Sequence, residues 1–371
     1  MAARTGNEKG RRIMGATPPT GDSGITRRSV LRGASALALC GRPAGAGAAP
    51  TLPPEAWGAF KVRFLEPSGR VVDIEQDGIS HSEGQGYGLL LAQAAGDRAA
   101  FDRIEAWTRA HLDIREDRLM AWRWTPARGG DTDQWHNATD GDLFRAWALL
   151  RAGRDSGWAP EDALAQAQAI AQDIAGACLA PDPRAPDQPL LRPGAEAVAT
   201  ADRVLVNPSY YMSRALRELG DHAALPALVR AADHGETVLA ELAAAGPLPD
   251  WIEVTPAGFV PPQDHALRAS YDALRVPLYL VWSGRGGHPA VARARRTLGA
   301  ADRGGAVAVE AAPDGTVLQA SDLPGYRAVL RLASCAPVAA PGPGVADQPY
   351  YPAVLQLFAA VAAREGGCDG A

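Results

Sequence analysis

The sequence predicts an all-α fold in which about ten to twelve helices close a helical barrel or toroid around one core. Three observations carry that prediction. Apolar residues recur at three- and four-residue spacing nearly throughout the chain after its leader, which is the period of a helix. Alanine dominates those stretches, and alanine is the best helix former. Strand-like and helix-like segments do not alternate, which argues against a parallel βαβ sheet.

The chain begins with a leader. Residues 1–24 are polar, Gly/Pro-rich and unpatterned, and Thr26-Arg27-Arg28-Ser29-Val30-Leu31-Arg32 follows. A weakly apolar run from Gly33 to Cys40 leads into Ala44-Gly45-Ala46-Gly47-Ala48. Paired arginines, a short apolar stretch and an A-x-A site describe a bacterial export signal of the twin-arginine type. Residues 1–48 are therefore expected to be a leader, and 49–371 a single domain placed in the periplasm or secreted. Met14 is a second candidate start, and Leu39 before Cys40 is too large for a lipoprotein site. After cleavage Cys178, Cys335 and Cys368 remain, so one disulfide is open to them and at least one thiol stays free.

Helical windows then follow in order: 87–92, the set Phe101, Ile104, Trp107 and Leu112, then 143–150, 163–179, 210–219, 223–244, 269–282, 289–298, 323–332 and 350–363. Pro- and Gly-rich breaks at 181–193, 246–249, 261–262 and 336–343 separate them. Two segments read as strands, 251–260 and 305–318, the latter around the hairpin-type turn Asp314-Gly315. No stretch of about 18 uninterrupted apolar residues follows the leader, so no membrane span is expected once it is removed.

Composition narrows the function. Hydrophobic residues make 47% of the 371 and charged residues 21%, so disorder is not the default. Thirty-seven basic against 42 acidic residues give no polycationic face, and a nucleic-acid partner is not expected. HExxH, paired CxxC, Walker A and GxSxG are absent, and His81, His111 and His136 lack metal-ligand spacing. No metal or cofactor is expected.

Three polar segments open apolar helices. In His81-Ser82-Glu83-Gly84-Gln85-Gly86-Tyr87-Gly88, Ser82 and Gln85 have the spacing of a capping box, which puts Glu83 in the first turn. Three glycines crowd that turn and need a reason, of which close approach of a ligand to the backbone is one. Against this stands the bland reading that Glu83 only stabilises a helix N-terminus. In Asn137-Ala138-Thr139-Asp140-Gly141-Asp142 the two carboxylates are two residues apart and do not share a helix face; one points to a site and the other caps or pairs. In Ser270-Tyr271-Asp272-Ala273-Leu274-Arg275-Val276-Pro277, Asp272 and Arg275 are three apart and can pair. Trp122, Trp124, Trp135, Tyr210, Tyr211, Tyr271, Tyr350 and Tyr351 lie near these segments. Each alone suits a core; beside carboxylates they suit sugar rings, whose C–H faces pack on aromatic faces.

Together the segments resemble glycoside hydrolase family 8, most strongly the periplasmic endoglucanases that accompany bacterial cellulose synthesis. The matching stretches are 82–88, 138–143, 207–211, 271–277 and Tyr350-Tyr351, in the family's order. The resemblance implies an (α/α)6 barrel, a toroid of six helical hairpins with minor β-hairpins in its loops. It implies inverting hydrolysis of β-1,4-glucan, with Glu83 as general acid, Asp272 as general base, and Asp140 as a carboxylate contacting the sugar at the cleavage subsite. Arg275 and Tyr210 match residues around the base and its water. Trp122, Trp124 and Trp135 are sugar-stacking candidates, and Tyr271 a further contact. A shallow acidic pH optimum and a link to the cellulose synthase machinery are also implied. One departure is Met212 after Tyr211, where the family continues with an aromatic and Pro. Xylan or chitosan as substrate, and a non-catalytic glycan-binding component, are the alternatives.

Overall fold

The computed structural model describes residues 50–127, 130–158, 162–301 and 304–367; the expected leader lies outside them. Eleven α-helices carry the described part. They are α1 (Pro54–Phe64), α2 (Ser82–Ala94), α3 (Arg98–His111), α4 (Thr139–Arg151), α5 (Ala163–Ala177), α6 (Ser213–His222), α7 (Pro226–Ala245), α8 (Arg275–Trp282), α9 (Pro289–Gly299), α10 (Pro324–Ala333) and α11 (Tyr350–Glu365).

Their contacts run in a circuit. α2 touches α4, α4 touches α6, α6 touches α8, α8 touches α11, and α11 returns to α2. Each member also packs on a sequence neighbour: α3 on α2, α5 on α4, α7 on α6, α9 on α8 and α10 on α11. Burial follows this division. α4 and α8 are buried at every position, as helices ringed by others must be. α3 and α9 bury one stripe only, Phe101, Ile104 and Trp107 in one and Val291, Ala294 and Leu298 in the other. No helix among the described residues is long and apolar enough to cross a membrane.

All strands are short and antiparallel. Both segments expected as strands form hairpins, β7–β8 (Ile252–Thr255, Gly258–Val260) and β9–β10 (Val307–Ala311, Val317–Ser321), the latter around the expected turn. Others were not expected: β1–β2–β3 (Ser80–His81, Arg123–Thr125, Asp131–Gln134), β4–β5 (Leu179–Asp182, Ala185–Leu191), and β6 (Val204–Val206) beside β7. Pro181, Pro186 and Pro189 disguise β4–β5; a two-stranded ribbon tolerates proline because each strand has a free edge. α1 was also unexpected, although Ala56, Trp57, Phe60 and Phe64 form its buried stripe.

Two departures shape the site. The window expected at 269–282 becomes helical only at Arg275. Before it, the Asp250 carboxylate accepts from the backbone N–H of Ser270 (2.8 Å) and Ala273 (2.9 Å), and this fixes a turn that carries Asp272. The expected capping box at α2 is also displaced. His81 is the N-cap, its Nδ1 standing 3.0 Å from the Gly84 N–H, a bond it accepts when unprotonated. Gln85 turns inward instead, accepting from the Val71 N–H (2.7 Å) and donating to Thr108 Oγ1 (2.9 Å).

Candidate active site

Gly86 of α2 and Gly141 of α4 let two helix N-termini come together. A Cβ on Gly86 would stand 2.9 Å from the Gly141 carbonyl oxygen, and one on Gly141 would stand 2.5 Å from Ser82 Oγ. A Cβ on Gly84 would instead meet Tyr350 Oη at 3.2 Å, and one on Gly88 would meet Val71 at 2.7 Å; for Gly86 the reason is therefore close packing of α2 on α4. Contact at this range sets Glu83 beside the first turn of α4, where Asp140 sits.

Glu83 is 16% exposed, and its Oε2 accepts from the Trp122 indole N–H at 3.2 Å. The same oxygen lies 3.1 Å from Nδ1 of His81, whose Nε2 is 3.8 Å from Asp73 Oδ2. Burial pushes the Glu83 pKa up, but the His81 charge and then Arg275 outweigh it and hold it near 2. Burial would lower His81; Glu83 and Asp73 lift it instead, to about 10.

The two carboxylates of α4 part as their spacing requires. Asp142 accepts from the Met120 N–H (2.6 Å) and the Asn137 amide (2.9 Å), so it ties α4 to the preceding loop; burial raises its pKa to about 7. Asp140 is 0% exposed, accepting from Arg275 at 2.9 Å and from the Gly141 N–H at 2.9 Å. It lies beneath Arg275 instead of opening onto the cleft, which differs from the sugar-contacting position implied by resemblance. Burial and the Glu83 charge raise its pKa well above the usual carboxylate range.

Arg275, the first residue of α8, joins the pieces. One terminal nitrogen donates to Asp140 (2.9 Å) and Tyr87 Oη (2.7 Å), the other to Asp272 Oδ1 (2.7 Å) and Ser209 Oγ (2.7 Å). Asp272, 30% exposed, also accepts from the Asn207 amide at 2.9 Å. Tyr210 lies with its ring 5.6 Å from the Arg275 guanidinium. All of Glu83, Asp140, Asp272, Arg275 and Tyr210 thus belong to one cluster.

Two hollows meet there. One, of about 540 Å³, is lined by Asp73, His81, Tyr271, Tyr326 and Tyr351 with Glu83 and Asp272. The other, of about 720 Å³, is lined by Trp122, Trp135, Tyr210 and Trp251, again with Glu83 and Asp272. Both volumes suit a ligand. Trp135 is 62% exposed at the rim, and Tyr271 contacts Tyr351, whose hydroxyl donates to the Tyr271 carbonyl at 2.6 Å. Trp124 is not brought to the cleft. On β2 it turns into a small cluster with Trp107, 5.6 Å between ring centres, under the Arg70 guanidinium at 4.8 Å.

Several neighbours had no place among the expected site residues. Asn207 and Ser209 lay inside a recognised stretch without being singled out. His81 had a signal, its position two residues before a candidate acid. Asp73 and Trp251 had none.

The family profile described as glycosyl hydrolases family 8 matches residues 34–323. A probable endoglucanase of Novacetimonas hansenii is 36% identical over 269 residues, covering 69% of this chain and 74% of that protein. The solved endoglucanase of Klebsiella pneumoniae, a family 8 glycosyl hydrolase, superposes with a TM-score of 0.75 at 28% identity, covering 84% of this chain and 99% of that one. The endo-β-1,4-glucanase of Acetobacter xylinum gives 0.71 at 32% identity, covering 84% and 97%.

Proposed function

This chain belongs to glycoside hydrolase family 8 and is an endoglucanase, and we propose that it cleaves β-1,4-glucan with inversion, Glu83 acting as general acid and Asp272 as general base. The observation that carries this reading is that these two carboxylates line both hollows. A glucan strand laid along both hollows crosses between them, with Trp122 and Trp135 on one side and Tyr271 on the other. Glu83 gives a proton to the leaving oxygen. A water on the opposite face attacks the anomeric carbon, and Asp272 takes its proton. Arg275 and Asn207 hold Asp272 aimed; Tyr210 flanks the water. Buried Asp140 acts through its neighbour: it anchors Arg275.

Two carboxylates at the cleft already have arginine partners. Glu75 pairs with Arg63 and Glu196 with Arg115, so neither offers an open anionic contact to a cationic chain such as chitosan. We take the helical circuit to be an (α/α)6 toroid and residues 49–371 to be one catalytic domain. The Arg27-Arg28 leader supports export to the periplasm or beyond, and the resemblance supports service to a cellulose synthase. Replacing both arginines by lysine should retain the protein in the cytoplasm; unchanged export would refute the twin-arginine route.

The test is reducing-end release from carboxymethyl cellulose, with viscosity followed in parallel. Wild type should lower viscosity early, and Glu83→Gln should lose activity by at least about 100-fold. Near-wild-type activity in folded Glu83→Gln would refute the acid assignment. Xylan and chitosan, run beside it, should release little.

A further inference from the structure

We propose that His81 is a positioning residue that holds, between Asp73 and Glu83, the proton that Glu83 delivers to the leaving glycosidic oxygen. The inference rests on Glu83 being the general acid.

A glutamate at a helix N-terminus, close to an arginine, is poorly placed to keep a proton. The structure puts a second proton carrier against it. His81 Nδ1 is 3.1 Å from Glu83 Oε2, and Nε2 faces Asp73 Oδ2 at 3.8 Å. The titratable groups facing the imidazole are Asp73 from the loop before β1, Glu83 from α2, and Tyr350 from α11, its ring edge-on at 5.9 Å. Arg275 of α8 and Asp140 of α4 act on Glu83 from its other side. His81, Glu83 and Asp73 all line the same hollow, so the chain of three reaches solvent.

The N-cap contact explains why an imidazole suits this position. While Nδ1 carries the proton, it donates to Glu83. When the proton moves to Glu83, Nδ1 gains a free lone pair, and the Gly84 N–H already stands 3.0 Å away to fill it. Proton transfer therefore strengthens the cap instead of leaving a buried lone pair unsatisfied. The raised pKa of His81 and the lowered one of Glu83 agree with a resting proton on the imidazole.

The cycle balances. One proton passes from Nδ1 to the Glu83 carboxylate, and neutral Glu83 gives it to the glycosidic oxygen as the C–O bond breaks with its electron pair going to oxygen. Water forms the new C–O bond and loses a proton to Asp272. Asp272 then releases that proton to solvent, and His81 takes one up across the hollow. In net, one water adds across one glycosidic bond, and the protons on His81, Glu83 and Asp272 are restored.

The experiment is the pH profile of kcat/KM on carboxymethyl cellulose for wild type, His81→Asn, Asp73→Asn and Glu83→Gln, with Tm measured for each. In wild type the alkaline limb records loss of the shared proton. Asparagine keeps an oxygen to accept the Gly84 N–H but carries no proton. His81→Asn should therefore move the alkaline limb toward acid by about one pH unit or more, because Glu83 then titrates alone. Asp73→Asn, which leaves the cap intact, should move it the same way by less. A limb that stays put in both folded variants, with activity lowered equally at every pH, would mean a purely structural His81 and overturn the proposal. Should His81→Asn fail to fold, an unmoved limb in Asp73→Asn overturns it alone. Activity retained by Glu83→Gln would instead refute the acid assignment on which the proposal stands.

Discussion

At the scale of single residues the site depends on how Arg275 spends its donors. Its two terminal nitrogens reach four oxygens on four residues, an arrangement that needs the planar fork of a guanidinium. Arg275→Lys keeps the charge and loses the fork. It should lower kcat/KM about 100-fold, roughly 2.7 kcal/mol of transition-state stabilisation, while the fold survives; steady-state kinetics with a melting curve check this, and a change under about threefold would contradict it. Spacing alone made one of these bonds legible, since Asp272 and Arg275 are three residues apart. The Asp140 contact joins positions 135 residues apart, and only the family resemblance placed Asp140 near the same site. Local spacing also failed for Trp124, because a two- or three-residue strand gives no alternation from which to judge its outward face.

At the scale of elements the catalytic geometry depends on α2 and α4 meeting through glycine. Gly141→Ala would drive a methyl group against Ser82 Oγ (2.5 Å) and the Glu83 N–H (2.8 Å). Overpacking of this kind costs about 1–3 kcal/mol, and here it displaces the backbone that carries Glu83. The variant should melt lower and lose activity beyond what stability explains; full activity at a temperature where it is folded would contradict this. The helices were the most legible elements. The windows 163–179, 289–298 and 350–363 correspond to Ala163–Ala177, Pro289–Gly299 and Tyr350–Glu365. Their boundaries failed where a side chain took over the backbone's hydrogen bonds, as Asp250 does ahead of α8. The three-stranded sheet under Glu83 escaped notice because its pairing joins residues 80–81 to 123–124, a match no local pattern encodes.

At the scale of the whole molecule, the charges of the cleft couple stability to pH. His81, lifted from 6.5 to about 10, contributes stability in full below pH 6.5, and that contribution is lost as pH rises toward 10. Glu83, lowered from 4.5 to about 2, contributes above pH 4.5 and loses its share as pH falls toward 2. The Tm difference between wild type and His81→Asn should therefore narrow from pH 6.5 to 10; a constant gap would contradict the coupling. In the proposed mechanism a water attacks from the face opposite the departing sugar. Proton NMR of the first product formed from a soluble cello-oligosaccharide tests this most directly. The account predicts the α-anomer ahead of mutarotation, whereas the β-anomer appearing first would contradict it and leave Asp272 without its role as base.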